Sequence, residues 1–377
     1  MTENPGFFFY ILAFLLVIGP LVFVHELGHY AAGRVFGIKA DAFSIGFGRE
    51  IAGFTDKRGT RWKFGWLPLG GYVKFAGDMN PASQPDPAWL SLPAVERAQT
   101  FQAKPVWQRA IVVAAGPVTN FVVAILILAA FAVAYGRPGT EPVIGTVDKG
   151  SVAAAAGIQP GDRILSVGGR SVGSFTEIAR YVTMRPGEPV DIGLEREGRK
   201  VDLNVTTGVR EERDRFGNVY RIGMLGVRSG PVELVPVGLF EAPMVGVRET
   251  GRIIQMQIDG LGQIITGRRS VKELGGPLRI AQVSGERFVL GPTEFVFLIA
   301  LVSINLGFIN LLPVPVLDGG HLLFYAIEAV RRKPVGPEVM EWAFRGGMVA
   351  ILALMLLVTF NDLGAFGVWR NLAGLIG

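Results

Sequence analysis

Four runs of this 377-residue sequence are long and apolar enough to cross a bilayer: Phe7–Val24, Ile111–Tyr135, Phe295–Leu312 and Met348–Phe360. In hydrocarbon every backbone N–H and C=O must be bonded within the protein, so runs of this kind fold as helices. The last run is short and is expected to begin earlier, near Trp342. Half of all residues are hydrophobic, 18% are charged, and the mean hydropathy is +0.39. That balance is too apolar for an ordinary water-soluble enzyme and too charged for a chain made only of spans. The expected fold is a polytopic α-helical membrane protein of about four transmembrane helices, with one inserted α+β domain between the second and third.

Charge placement orients the spans. Glu3 precedes the first run and Arg34, Lys39 and Arg49 follow it, which puts the N-terminus outside by the positive-inside rule. Arg331, Arg332, Lys333 and Arg345, between the third and fourth runs, fit a cytoplasmic side as well. The first run is not a secretory signal, since no Lys or Arg precedes it and no cleavage pattern follows. The formal charge of +5 comes without a basic tract interleaved with aromatics, so the expected partner is the anionic lipid bilayer and not nucleic acid. The absence of cysteine excludes disulfides and thiolate metal ligands.

The chemistry begins at the end of the first run, in His25-Glu26-Leu-Gly-His29. Residues four apart share one face of a helix, so the two imidazoles can bind one tetrahedral Zn²⁺, one per chain. Glu26 beside them can take a proton from water at the metal. Two of only three histidines in the chain form this motif, which argues against accident.

Asp41–Asp78 alternates apolar with small or polar residues around glycines, as in Phe43/Ile45/Phe47 and Trp62/Phe64/Trp66. Period two with glycine punctuation predicts β-hairpins, membrane-associated by their aromatic content. Such a loop offers either a strand edge for an unwound peptide or merely a folded juxtamembrane hairpin. Asn80–Pro93 reads as a linker, and Trp107 and Arg109 as an interfacial anchor. The second run contains Gly116-Pro117-Val-Thr-Asn120; Asn120 either reaches substrate or ligand backbone, or bonds a neighbouring helix. The third run ends in Asn310-Leu-Leu-Pro313-Val-Pro315-Val-Leu-Asp318-Gly319-Gly320-His321. Two prolines there unwind the end of a span and free backbone groups for binding. Asp318 can supply the third zinc ligand that the two histidines lack, the glycine pair behind it allowing close approach; His321 competes for that place.

The insertion, residues 137–230, reads as strand Val143–Val147, a short capped helix from Ser151 to Gly157, a Gly168-Gly169 hairpin, helix Phe175–Thr183, and strands Val190–Arg196 and Lys200–Val205. It resembles a bacterial PDZ domain, whose Ser-x-Ala-x-x-Ala-Gly-Leu-x-x-Gly-Asp-x-Ile pattern matches Ser151 to Ile164. That resemblance implies a peptide groove between the helix and a strand Met224–Val227, bordered by Leu225, Gly226 and Val227. Val245–Ile265 reads as an amphipathic helix, on the membrane surface or packed on the insertion.

Taken together, His25-Glu26-x-x-His29, Gly116-Pro117-x-x-Asn120-Phe121, Asn310-Leu-Leu-Pro313-x-Pro315-x-Leu317-Asp318-Gly319-Gly320, Gly70-Gly71-Tyr72-Val73-Lys74 and Gly276-Pro277 resemble the site-2 protease family of intramembrane zinc metalloproteases, in its bacterial RseP-type branch. The resemblance runs in one order over nearly the whole chain. It implies Glu26 as the catalytic residue, His25, His29 and Asp318 as metal ligands, and Asn120, Asn310, Pro313 and Pro315 bordering the site. It implies that the 41–78 loop engages substrate. The implied substrates are single-span membrane proteins already trimmed by another protease, such as anti-sigma factors, or signal-peptide remnants. The implied setting is a bacterial inner membrane, with the PDZ-like module outside the cytoplasm and the active site near the cytoplasmic side. RseP-type chains carry tandem PDZ domains, whereas this one has room for one. The division that follows is helices one and two with the loop at 1–136, the PDZ-like domain at 137–230, a linker helix at 231–292 and helices three and four at 293–377. Two other functions fit parts of the pattern: a membrane metalloprotease acting on aqueous peptides, and a PDZ scaffold without activity.

Overall fold

The computed structural model describes residues 7–78, 87–139, 141–213, 219–230, 233–267 and 275–365. Glu3, the start of the Asn80–Pro93 linker and part of the 231–292 segment lie outside them. In chain order the elements are α1 (Phe7–Val35), β1 (Ala40–Thr55), β2 (Arg61–Phe75), α2 (Ala94–Arg97) and α3 (Val106–Tyr135). There follow β3 (Arg137–Gly139), β4 (Ile144–Val147), α4 (Val152–Ala155), β5 (Arg163–Val167), β6 (Arg170–Ser171), α5 (Phe175–Thr183), β7 (Pro189–Arg196) and β8 (Arg199–Thr206). Then come β9 (Gly208–Arg213), β10 (Val219–Met224), β11 (Val227–Ser229), β12 (Glu233–Val235), α6 (Ala242–Ile265), α7 (Pro277–Leu290), α8 (Pro292–Asn310), α9 (Asp318–Arg331) and α10 (Pro337–Ala365). Among the described residues four helical stretches have the length and hydropathy of membrane spans: Phe8–Val35, Val106–Tyr135, Pro292–Asn310 and Glu338–Gly364. The fourth begins well before the apolar run at Met348, because its first turns are helical but polar. The chain forms two compact units.

The helical unit comprises Met1–Ala129, Pro243–Ile258 and Leu274–Asp362. Glycines set how closely its helices approach. A β-carbon at Gly28 would lie 2.5 Å from the Ala115 carbonyl oxygen, and one at Gly307 would lie 3.1 Å from the Pro117 carbonyl oxygen. Side-chain-free contacts of this kind replace the hydrophobic drive that lipid cannot give. Gly276 and Arg279 at the start of α7 donate their backbone N–H groups to the Asp362 carboxylate, at 3.1 Å each. A carboxylate from α10 therefore caps α7 where its N–H groups lack helical partners.

The β1–β2 pair is more than a hairpin. Residues 42–45 of β1 pair with 61–64 of β2 on one side and with 71–74 on the other, while 52–55 pair with 61–64. Two bent strands thus make four segments in the order 50–55, 61–65, 42–45, 71–75, the outer two pairings antiparallel and the register of the central one, 42–45 with 61–64, rising together. Positive φ at Gly46, Gly48 and Gly70 (86°, 84° and 111°) permits the bends. Phe43, Val73, Phe75, Phe101, Val112 and Val113 bury the inner end of this sheet. Its outer end carries Ile51, Phe54, Phe64 and Trp66 exposed. Arg109, expected at the interface, instead pairs with Glu328 of α9 at 2.7 Å and lies over the Tyr325 ring. The first half of α6 also belongs here: Ile253 and Ile254 pack on Ala124, Leu128, Ala300 and Ile304, so part of its apolar face is covered by protein.

The second unit comprises Ala130–Ala242, Asp259–Glu273 and Leu363–Gly377. A four-stranded antiparallel sheet, β6-β5-β7-β8, packs with α4 and α5 around Ile158, Ile164, Val167, Ile178, Ile192 and Leu194. Ser151 caps α4 through its hydroxyl, which accepts from the Ala154 N–H, and Ser174 caps α5 likewise. Asp162, only 1% exposed, accepts two hydrogen bonds from the Arg196 guanidinium and one from the Gln159 N–H. Met224–Val227 is not one strand: β10 ends at Met224, Gly226 turns at φ 74°, and β11 starts at Val227. Leu225 is buried in the core of this unit.

Candidate metal centre

Three helices of the first unit converge on one point. The apolar length of α1 fixes it as a helix, and the four-residue spacing then sets His25 and His29 on one face, their Nε2 atoms 3.2 Å apart. Asp318 arrives from far along the chain. After Asn310 the helix cannot continue through Pro313 and Pro315, so the backbone turns in short loops, with Val314 N–H bonded to the Leu312 carbonyl. It restarts as α9 with Asp318 in its first turn, where a carboxylate suits the helix dipole. The fit is tight: a β-carbon at Gly319 would stand 2.2 Å from the Leu312 carbonyl oxygen, and at Gly320 2.4 Å from that of Val314. Val316 in this loop has φ 94°, a strained value for a β-branched residue.

Asp318 Oδ2 lies 3.1 Å from His25 Nε2, and Asp318 Oδ1 lies 3.5 Å from His29 Nε2. Ligand atoms held about 2.0–2.1 Å from one tetrahedral ion are about 3.3 Å apart, so these spacings fit a single zinc-sized cation. Asp318 Oδ2 is buried without a hydrogen-bond partner, and two nitrogens that can each present a lone pair face the carboxylate, His25 Nε2 at Oδ2 and His29 Nε2 at Oδ1. A cation satisfies all three. Among the described residues no other such group of His, Cys, Asp and Glu occurs. His321, the competing histidine, is buried against Phe344 and lines the cavity but is not in the converging set.

Beside the triad is a cavity of about 330 Å³ lined by His25, Glu26, His29, Asn310, Asp318 and the β2 segment Gly70–Val73, among others. Gly71 allows β2 to pass close: a β-carbon there would meet the Glu26 side chain at 2.9 Å. The Val73 backbone N–H is bonded to the Glu26 carboxylate. Of the residues expected to border the site, Asn310 does so. Pro313 and Pro315 shape the loop without lining the cavity, and Asn120 sits fully buried behind His25. Val112, whose carbonyl oxygen is 2.9 Å from His29 Nδ1, escaped the sequence reading, as backbone partners do. Gly116 had a visible signal, the Gly-Pro pair inside a span.

Residues 13–354 match peptidase family M50. Over 361 residues the chain is 48% identical to a protein of Agrobacterium fabrum named "Putative zinc metalloprotease", with 94% of this chain and 96% of that one covered. A protein of the same description from Rhizobium meliloti is 44% identical over 355 residues, covering 93% and 95%. Metalloprotease MmpA of Caulobacter vibrioides is 38% identical over 396 residues, covering 98% and 99%.

Proposed function

The chain is a zinc metalloprotease of peptidase family M50, and from that premise we propose that it cuts the transmembrane segments of single-span membrane proteins within the bilayer. The observation that carries this reading is the seat of the ligand set. His25 and His29 lie on a helix with the hydropathy of a membrane span, and Asp318 follows directly on the broken end of another. In this reading His25, His29 and Asp318 hold the zinc. Bound zinc supplies a Lewis acid that polarises a peptide carbonyl and acidifies water near neutral pH. Glu26 takes a proton from the attacking water and delivers it to the leaving amine. The Val73 N–H steadies that carboxylate, and Asn310 on the cavity wall orients the substrate backbone.

A helical substrate hides its carbonyls in hydrogen bonds and must be drawn out before it is cut. The 71–75 segment is the last of the four in its sheet and runs along the cavity, which supports its pairing with an extended peptide. Residues 1–136 and 293–377 then form the catalytic part, joined through 231–292 to a PDZ-like module at 137–230. The capped α4, the Asp162 turn and the β7–β8 hairpin support that module, in which α5 packs against β10 at Gly223. The substrates we expect are regulators such as anti-sigma factors, trimmed beforehand by another protease, or signal-peptide remnants, in a bacterial inner membrane with the module outside the cytoplasm.

The test is cleavage of a purified single-span substrate in detergent, with the cut mapped by mass spectrometry. Cuts inside the apolar segment are expected. Cuts confined to the flanking aqueous sequence would replace this reading with a membrane protease of soluble peptides.

A further inference from the structure

We propose that Asn120 is a positioning residue for the zinc: its side-chain oxygen accepts a hydrogen bond from His25 Nδ1–H and so commits His25 Nε2 to the metal. The inference rests on the zinc reading of the triad. Asn120 lies inside a span and is 0% exposed. An amide at that depth needs partners. Its nitrogen lies 3.1 Å from His25 Nδ1, while its oxygen is buried with no hydrogen-bond partner.

A neutral imidazole carries one proton, so its two nitrogens cannot both donate. With the proton on Nε2, Nδ1 accepts from the amide nitrogen. When Nε2 offers its lone pair to zinc, the proton sits on Nδ1 and the amide N–H meets another donor. A half-turn of the amide, nearly isosteric, brings the oxygen that has no partner onto Nδ1–H. Ligating histidines ordinarily have such an acceptor behind them, which fixes the tautomer. His29 meets the same need at the Val112 carbonyl oxygen. Both outer partners therefore come from α3, one rigid and one able to turn. Ser303 of α8, itself 0% exposed, donates to the Asn120 backbone carbonyl at 2.8 Å and holds the residue while its amide reorients.

The experiment measures zinc affinity of the full-length protein in detergent by competition with a chelator, for wild type, Asn120→Leu and Asn120→Asp. Cobalt absorption spectra report the geometry at the metal. Asn120→Leu removes the acceptor at similar volume and is expected to weaken zinc about 10–100-fold with an altered cobalt spectrum. Asn120→Asp keeps an acceptor and is expected to bind at least as tightly as wild type. Unchanged affinity in Asn120→Leu, or a loss in Asn120→Asp equal to that in Asn120→Leu, would overturn the proposal in favour of simple packing. If Asn120→Leu fails to fold, Asn120→Asp decides alone: retained affinity supports the proposal and lost affinity sinks it. A wild-type protein that binds no zinc would instead remove the reading beneath it.

Discussion

Gly116 of α3 lies against His29 of α1 so closely that a β-carbon on the glycine would stand 2.3 Å from Nε2, and 2.9 Å from Nε2 of His25. One methyl group therefore separates a site with room for its ligands from one without. Gly116→Ala is expected to lower zinc affinity at least tenfold, because both rings must turn away or the helices must part. Gly19→Ala, on α1 with the two histidines but with open space around it, should bind zinc like wild type. Equal affinity in the two variants, read by chelator competition, would mean that α1 and α3 are not this close.

Asp318 and His321 are separated by one turn of α9 yet meet different surroundings. Asp318→Asn is expected to cost most of the bound zinc, since a neutral amide is a poor ligand and leaves two nitrogens facing it. His321→Ala should retain zinc and lose only its packing on Phe344. Metal content of the two purified variants decides between them.

Glu26→Gln should keep zinc at the wild-type level and lower cleavage about 10²–10⁴-fold, as expected for removal of a proton carrier at almost constant volume. Cleavage at the wild-type rate, in a variant with full zinc, would remove Glu26 from the chemistry.

In the second unit Asp162 offers a pH test. Burial resists its charge, but the hydrogen bonds from Arg196 and Gln159 outweigh that and hold the carboxyl below its ordinary value. A group whose folded value is depressed stabilises fully above its unfolded value, about 3.9, and loses that contribution as pH falls through the folded one. Asp162→Asn should destabilise this unit by roughly 2 kcal/mol at neutral pH. It should also flatten the acid dependence below about pH 4. Hydrogen exchange at Ile164 and Leu194 in the full-length protein measures both.

The three residues that converge were legible in the sequence because their signals are local. A four-residue histidine spacing, and a carboxylate after a proline-broken helix, each carry their own chemistry. The strands of the insertion were legible for the same reason: Glu197-Gly198 and Gly168-Gly169 mark turns wherever they occur, and all four residues have positive φ. Contacts set by register between distant segments were not legible. Nothing near Asn120 says that it stands behind His25 and not before the substrate, because that depends on how α3 lies across α1. The fold-back of β1 and β2 is hidden likewise, since alternation tells that a segment is a strand but not how many neighbours it has. The pairing of Arg109 with Glu328 is hidden for the same reason, since the two are more than two hundred residues apart.

Asp318 follows the broken helix, so in the proposed function a bound ion ties the first helix to a point nearly three hundred residues later. In that reading it acts as a clasp as well as a reagent, closing a loop that contains Ala130–Ala242 and Asp259–Glu273 of the second unit. The entropy of closing a loop grows only with the logarithm of its length, about 0.6 kcal/mol for each doubling. A complete folded body between the ligands therefore adds little to the cost of bringing them together.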